Sequence, residues 1–544
     1  EGRYKLGPSQ DECICQFRAK DGDWDAPQYP IREGAVQAGT RLVTYQVAPI
    51  YKGMQNIQKL GNIGSGTLVE AAGPPEIAAN GYRCIPIKPS GIVSLQNLRI
   101  QEEEDSQWAE YVPGTSKPVE GQKYQELASI EEALSGRETI LLKGTWMRLC
   151  GDGQRGVLPR RQDLPAEEEP SWEPLPCLRL VARCRVLLVA VSYCWATPEH
   201  PDPRGEQLRG LTRMIRLRLE EERLPLEDLA VFFDWCSLYQ RPRADEIEAI
   251  FKRSLKAVNL WYAHARVMCW LLTRVPEGVV PYERRGWPTF EQGISCFIKD
   301  GSKVLDLGKM DEACDTWWSA LANCAAGRLP PMAPEKFGAI LDDKTFTNGA
   351  DCEMVKEKYA KTFEEVLATT AVLDFSGLKW GEKEFEVVAE ALPACHALQE
   401  LQLSFNNPGK DGIRALAAAL PRCYNLMTLR LSRCQLKDGD AEAIFESATK
   451  CRKIDFIDMS YNYEVSPSGV AKIAALVPRI PILGAVFLDK VTVGDAGPAV
   501  AEMIAKSTSL QGLELNDCKM TAESKKKICA AWKAAGKSPN LLYM

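Results

Sequence analysis

The chain has 544 residues, 45% apolar and 26% charged, which is longer than one hydrophobic core supports and globular rather than disordered in usage. Its formal net charge of −6 argues against a nucleic-acid partner held by bulk phosphate attraction. No run approaches the roughly eighteen apolar residues of a membrane span, and 19 cysteines without a CxxC pair beside three histidines give no zinc-type cluster, so neither membrane insertion nor a metal site is expected.

Many cysteines stand among apolar positions, the pattern of reduced, buried thiols in a reducing intracellular compartment, with the cytoplasm preferred. The first residues, Glu1 to Lys5, show neither a leader-like apolar core nor an initiator Met, so a cleaved leader and an organelle address stay open.

Residues 1–112 contain Arg41-Leu-Val-Thr-Tyr-Gln-Val, Gly66-Thr-Leu-Val-Glu-Ala and Arg83-Cys-Ile-Pro-Ile, short runs separated by Gly- and Pro-rich turns. This spacing predicts a small antiparallel β-barrel. The stretches Gly66–Glu76 and Gly81–Val93 resemble Src-homology-type barrels, which implies a peptide-binding or spacer module. Residues 113–176 read as a β-rich connector ending in the acidic, Pro-rich linker Ala166–Pro176.

Residues 177–328 alternate apolar runs with helical periodicity. The runs Arg185–Tyr193, Leu229–Trp235, Arg266–Leu272 and Val304–Leu307 predict strands buried on both faces, and helices are expected over Glu206–Glu222, Asp245–His264 and from Pro288. That rhythm is a doubly wound parallel α/β sheet, and ligands in such sheets bind outside the carboxyl ends of the strands, where Ser192, Tyr193 and Asp234 should emerge.

Three stations in this region, Val191–Trp195 with Pro198–Pro203, Phe233–Gln240 and Tyr282–Glu291, resemble a heterokaryon-incompatibility-type domain, including its protist versions, a distant relative of the Toll/interleukin receptor (TIR) fold. The resemblance implies an NAD-cleaving site with NAD as substrate and no bound cofactor. Glu291 would stabilise positive charge on the ribose as nicotinamide leaves, and Tyr193 and Trp287 would shape the pocket. The module would fire on self-association. The bland reading is that Pro288 opens a helix and Glu291 lies in its first turn, where any carboxylate is favoured by the helix dipole. Tyr239 before Gln240 and Pro288-Thr289 after Trp287 depart from the family pattern, so a non-enzyme is the preferred expectation. Arg284 and Arg285 are anion-binding candidates, His264 reads as a packed core histidine, and Cys194 with His200 has no geometric argument as a nucleophile and base.

Residues 329–364 form a break at Leu329–Pro334 followed by a helical cap from Asp351. No GxxxxGK[ST] run occurs, so no P-loop nucleotide switch is expected.

From 365 to 544, six segments follow L-x-x-L-x-L from Thr370, Leu398, Leu426, Ile454, Leu483 and Leu510, at spacings of 28, 28, 28, 29 and 27. A fixed period of this length marks a solenoid, with helical stretches such as Asp411–Leu420 between strands. The ninth positions, Asn406, Cys434, Asn462, Val491 and Cys518, should hydrogen-bond the turning backbone, and Val491 departs. The repeats resemble the ribonuclease-inhibitor type of leucine-rich repeat, which implies a horseshoe with its strands on the concave face and a capping helix around Ser524–Trp532. Exposed strand positions are then Glu400, Gln402, Arg430, Ser432, Phe456, Asp458, Phe487, Asp489, Glu514 and Asn516. Of these, Glu400, Gln402, Arg430, Phe456, Asp458, Phe487 and Glu514 form a protein-docking set with Phe456 and Phe487 as anchors. The alternative is an arc packed against the protein's own domains. The expected function is a protein–protein interaction scaffold, a subunit or accessory component of a larger assembly.

Overall fold

The structure, a computed structural model, describes residues 41–44, 48–54, 56–63, 68–73, 76–77, 83–88, 92–94, 98–100 and 121–544 except 155, 223 and 300. The remainder of the N-terminal region read as 1–112, and the start of the connector, lie outside the described residues.

The N-terminal strands are β1 (Arg41–Thr44), β2 (Ala48–Gly53), β3 (Asn56–Ile63), β4 (Leu68–Glu70), β5 (Glu76–Ile77), β6 (Arg83–Pro86), β7 (Ile92–Ser94) and β8 (Leu98–Ile100). They pair antiparallel in two sheets, β4-β1-β8 and β3-β2-β7-β6-β5, and Leu42, Ile50, Val69, Ala71, Ile85, Ile87 and Val93 form one core. Antiparallel strands are present as expected; among the described residues no closed barrel is shown.

The central sheet runs β13 (Val304–Asp306), β12 (Val267–Leu272), β10 (Val186–Tyr193), β11 (Asp228–Phe232), β9 (Leu142–Lys143). The first four are parallel and β9 adds an antiparallel edge. Alternation along β10 sends Val186, Leu188 and Ala190 to one face and Val189, Val191 and Tyr193 to the other, each into its own core. Helices Pro174–Ala182, Val258–Ala263 and Gly286–Ser295 cover the first face, and Gly144–Leu149, Glu206–Leu219 and Trp317–Cys324 cover the second.

The stretch read as connector and linker differs from expectation. Leu127–Ser135 and Gly144–Leu149 are helices, and β9 belongs to the central sheet. Leu127, Ile130 and Leu134 recur at helical spacing on a buried face, and the acidic run is anchored by Trp172, whose Nε1 donates to Leu229 O at 2.9 Å. Charge and proline content masked apolar residues that have to be buried. Asp234 and Trp235, read as the end of a strand, instead open a one-turn helix, Asp234–Ser237.

The C-terminal strands β14 (Val372–Asp374), β15 (Glu400–Gln402), β16 (Thr428–Arg430), β17 (Phe456–Asp458), β18 (Ala485–Phe487), β19 (Gly512–Glu514) and β20 (Leu542–Tyr543) form one parallel sheet in chain order. Helices Glu382–Ala391, Gly409–Ala419, Asp438–Ala448, Pro467–Leu476, Gly497–Lys506 and Ala522–Ala534 lie between successive strands. Leu373, Leu401, Leu429, Ile457, Val486 and Leu513 stand in register down the stack and are buried. The seventh strand escaped the six-segment reading because Leu542–Tyr543 lacks the leucine spacing.

The ninth-position side chains do what the pattern demands. Asn406 Nδ2 donates to Phe375 O at 2.8 Å and Leu403 O at 2.9 Å, and Asn462 Nδ2 to Leu431 O at 3.0 Å and Met459 O at 2.7 Å. The thiols of Cys434 and Cys518 donate to Leu403 O at 3.4 Å and Leu488 O at 3.1 Å. One position earlier, Gly377, Phe405, Arg433, Tyr461, Lys490 and Asp517 all have φ between 51° and 68°. The cost of this left-handed turn to a residue with a Cβ is offset by a backbone bond across the stack. Phe405 N donates to Ser432 O at 2.9 Å, Arg433 N to Ser460 O at 3.0 Å and Tyr461 N to Asp489 O at 2.7 Å.

One apolar cluster runs without a break from Tyr124 through the first face of the central sheet to Leu541. Helix Asp351–Leu367 joins the two parts: Tyr359 stacks on Phe337 at 3.6 Å, Phe363 meets Phe297 at 5.8 Å, and Thr362 accepts from Asn259 Nδ2 at 2.9 Å.

Candidate functional site

The carboxyl ends of β10 and β11 gather four of the five residues assigned to a catalytic pocket. Ser192 Oγ donates to Glu291 Oε2 at 2.5 Å and lies 2.6 Å from Tyr282 Oη. Tyr193 Oη donates to Asp234 Oδ1, and Trp195 Nε1 to Asp234 Oδ2 at 3.3 Å. Helix Gly286–Ser295 begins two residues before Pro288, so Glu291 is its sixth residue and lies in the second turn, not in the first as expected.

Burial dominates the chemistry here. It pushes the Glu291 carboxyl well above the usual carboxylate range, opposed by the Ser192 bond and reinforced by Asp234. Asp234 is raised by the same desolvation, against the bonds from Tyr193 and Trp195. A shift in this direction disfavours the charged form that would face a cationic sugar.

The fifth residue, Trp287, is not directed into this cluster. It is half-buried, packs edge-on to Phe290 at 5.9 Å, and its Nε1 donates to Asp351 Oδ2 at 3.0 Å on the helix leading into the repeats. Tyr282 and Tyr262 were missed. Tyr282 opens the third sequence station, and Tyr262 Oη reaches Val191 O at 3.1 Å.

The remaining candidates are engaged elsewhere. Burial lifts the Cys194 thiol to about 12, and His200 sits against Trp235 at 4.9 Å with its Nδ1 accepting from Asp202 N at 2.9 Å. His264 is buried in the core as expected, with its basicity pushed down to about 3 by desolvation. Arg285 Nη2 donates to Trp195 O at 2.6 Å. Asp342, Cys352 and Glu353 bring ligand-type atoms within 4.8 Å of one another, yet Lys356 Nζ already bridges Asp342 at 2.6 Å and Glu353 at 2.8 Å, so an ammonium takes the cation's place.

The inner wall of the repeats is the second site. Glu400, Gln402, Arg430 and Phe456 are half-buried and reachable. Arg430 Nε lies 3.2 Å from Glu400 Oε1, its guanidinium stands 4.8 Å over Phe456, and Phe456 meets Phe487 edge-on at 4.6 Å. The expectation of a fully exposed row needs correction, because Asp458 and Phe487 are 7% exposed and Glu514 0%. Ser432 and Asp489 are buried as well, and Asn516 is half-buried. Strands sit about 4.8 Å apart while the helices behind them need about 10 Å, so the sheet curves inward and side chains on the inner wall converge on one another.

Glu514 is buried beside Asp489 and Asp458; desolvation first, then their charges and a side-chain hydrogen bond with Asp489, push its carboxyl up to about 10. Asp458 is raised by burial and lowered by Arg430.

A family model described as "Leucine Rich repeat" matches residues 422–445. The matched residues span one strand-to-helix unit of the C-terminal stack, so a leucine-rich repeat is present there. Among solved structures, a tropomodulin C-terminal domain of Caenorhabditis elegans is similar at 16% identity, covering 28% of this chain and 93% of its own, with a TM-score of 0.25. A structure titled leiomodin-1 actin-binding site 2 is similar at 10% identity, covering 32% of this chain and 86% of its own, with a TM-score of 0.23. None of the curated proteins matches the chain.

Proposed function

We propose that this chain is a protein-interaction scaffold, a subunit or accessory component of a larger assembly, that holds a protein partner on its leucine-rich-repeat arc in a reducing, cytoplasmic compartment. The observation that carries the reading is the wall of β15, β16 and β17, where half-buried Glu400, Gln402, Arg430 and Phe456 offer a mixed polar and aromatic surface on a rigid sheet. Among the described residues their hydrogen bonds and ring contacts stay within the arc, so this part of the wall is not used up in holding the α/β unit. Aromatic and arginine side chains in such a setting are the residues that dominate binding energy. The test uses the full chain as bait in extract from its source cells. Arg430→Glu with Phe456→Ala is expected to lower capture of the native partner at least tenfold, and unchanged capture overturns the reading.

The heterokaryon-incompatibility and TIR-like resemblance of residues 177–328 adds a proposed self-association element. One observation favours the further reading of NAD cleavage: Ser192, Tyr193, Asp234 and Glu291 converge at the strand ends. It is the weaker reading because burial raises the Glu291 carboxyl and so opposes the charge the reaction needs. Purified protein, clustered or not, is expected to release no nicotinamide from NAD; steady release would promote the enzyme.

A further inference from the structure

The inner wall mixes charges, with Glu400 paired to Arg430, but the rim where each outer helix hands over to the next strand is basic. Arg422, Lys450 and Arg479 close the outer helices of three successive repeats, and Arg452 and Lys453 stand on the loop between them; all five are exposed. Among the described residues none of the five has a carboxylate at ion-pair distance, and the only hydrogen bond from a side chain among them is Lys453 Nζ to Asn425 Oδ1 at 2.8 Å. Asp455, the acid closest to them in sequence, has an oxygen accepting from Gly484 N at 2.9 Å.

The same rim carries three large apolar side chains in the open: Tyr424 at 62%, Met427 at 42% and Ile482 at 46% exposure. Helix C-termini favour cations, which accounts for Arg422, Lys450 and Arg479. It does not account for Arg452 and Lys453, nor for apolar groups interleaved with them. Single exposed apolar residues are ordinary, but three within three neighbouring repeats of one rim are a patch.

We propose that this rim docks an acidic protein segment that places its own apolar side chains on Tyr424, Met427 and Ile482 and its carboxylates on Arg422, Lys450, Arg452, Lys453 and Arg479. The inference rests on the arc being a docking domain and names a face and a partner chemistry for it. Charge complementarity decides the occupant. The chain as a whole carries −6, which opposes an extended anionic surface such as a membrane or a long polyphosphate. A short segment feels only the local cations, because fields fade over about 8 Å at physiological salt. A nucleic acid would also leave Met427 and Ile482 without apolar cover. From the repeat of Tyr424 to that of Ile482 are two steps of about 5–10 Å each, the reach of roughly 7–13 residues of helix.

The test measures binding to the full chain of a fluorescein-labelled twelve-residue amphipathic helix of Glu and Leu, beside its Lys and Leu counterpart. Vesicles of phosphatidylserine and phosphatidylcholine at one to four and a single-stranded DNA twelve-mer serve as rival probes. The Glu peptide is expected to bind at least tenfold more tightly than the Lys peptide. Arg452→Glu with Lys453→Glu, and separately Tyr424→Ser with Ile482→Ser, should each weaken it at least tenfold while circular dichroism and Tm stay native. Equal binding of the two peptides, insensitivity to either double variant, or tighter binding of vesicles or DNA overturns the proposal. Native-partner capture that is lost in the Arg430 and Phe456 variant but intact in the rim variants sinks this inference and leaves the scaffold reading standing.

Discussion

Burial raises two carboxyls, Glu291 and Glu514, in different surroundings. Glu291 is satisfied, since Ser192 Oγ stands 2.5 Å away and Tyr282 closes the other side of that hydroxyl at 2.6 Å. Its neutral amide isostere should therefore serve nearly as well: Glu291→Gln is expected to leave urea stability within about 1 kcal/mol, whereas Glu291→Ala, which opens a cavity and strands a hydroxyl, should cost about 2–4 kcal/mol. Urea titrations in which Gln is as damaging as Ala would show that charge matters at this position. Glu514 instead faces two other acids, Asp489 and Asp458, and its carboxyl is pushed from 4.5 up to about 10. A raised carboxyl pKa means that the folded state holds a proton the unfolded state releases, so stability is undiminished below about pH 4.5 and declines as pH climbs toward 10, by up to about 1.4 kcal/mol per pH unit. Glu514→Gln cannot ionise and should escape that decline. Melting curves of the two proteins are expected to coincide near pH 4.5 and to separate by several degrees at pH 8–9 in favour of Gln; parallel curves across the range would mean that Glu514 is charged in the fold.

At the scale of elements, the strength of a repeat lies in its turn. Asn462 Nδ2 donates to two carbonyls, and its Oδ1 accepts from Cys434 N at 2.9 Å and Leu436 N at 3.1 Å, joining two repeats. Asn462→Ala leaves those four backbone groups buried and is expected to cost about 2–4 kcal/mol in chemical denaturation, while Cys434→Ala, losing weak thiol bonds, should cost about half as much. Near-equal losses would rule out the asparagine ladder as the main tie. This part of the fold was legible because stacking repeats a chemical demand every turn: leucine at the inward positions, and asparagine or cysteine at the ninth. The eighth position was not legible, since Phe405, Arg433, Tyr461, Lys490 and Asp517 share a backbone conformation and no side-chain chemistry. Nor was the burial of Asp458, Phe487 and Glu514, which depends on how tightly the sheet curves. In the central sheet, apolar runs marked the strands and so placed Ser192, Tyr193 and Asp234 at their ends. The bond of Trp287 to Asp351 was not legible, because Asp351 lies on a helix 64 residues away that the local pattern could not bring to it.

At the scale of the molecule, the α/β unit and the repeats share one apolar core, and Arg328 clamps the joint. Its Nε donates to Cys296 O at 2.8 Å and its Nη2 to Phe297 O at 2.7 Å, both at the end of the helix that holds Glu291. Nη1 donates to Asp374 O in the first repeat strand, and the guanidinium lies 4.4 Å over Phe375. The same residue's carbonyl accepts from Trp380 Nε1 at 2.8 Å. A side chain that is 5% exposed and satisfies three carbonyls across a joint cannot be replaced by a smaller one without stranding them. Arg328→Ala should therefore weaken the joint by about 3–5 kcal/mol and break the coupling between its two sides. In the native chain, the loss of helical circular dichroism and the change in tryptophan fluorescence from the α/β unit are expected to coincide on heating. In the variant the fluorescence change should move several degrees below the loss of the repeat helices. Two separate transitions already present in the native protein would mean that the continuous apolar core does not couple the halves, and the arc would then be free to move relative to the sheet it stands on.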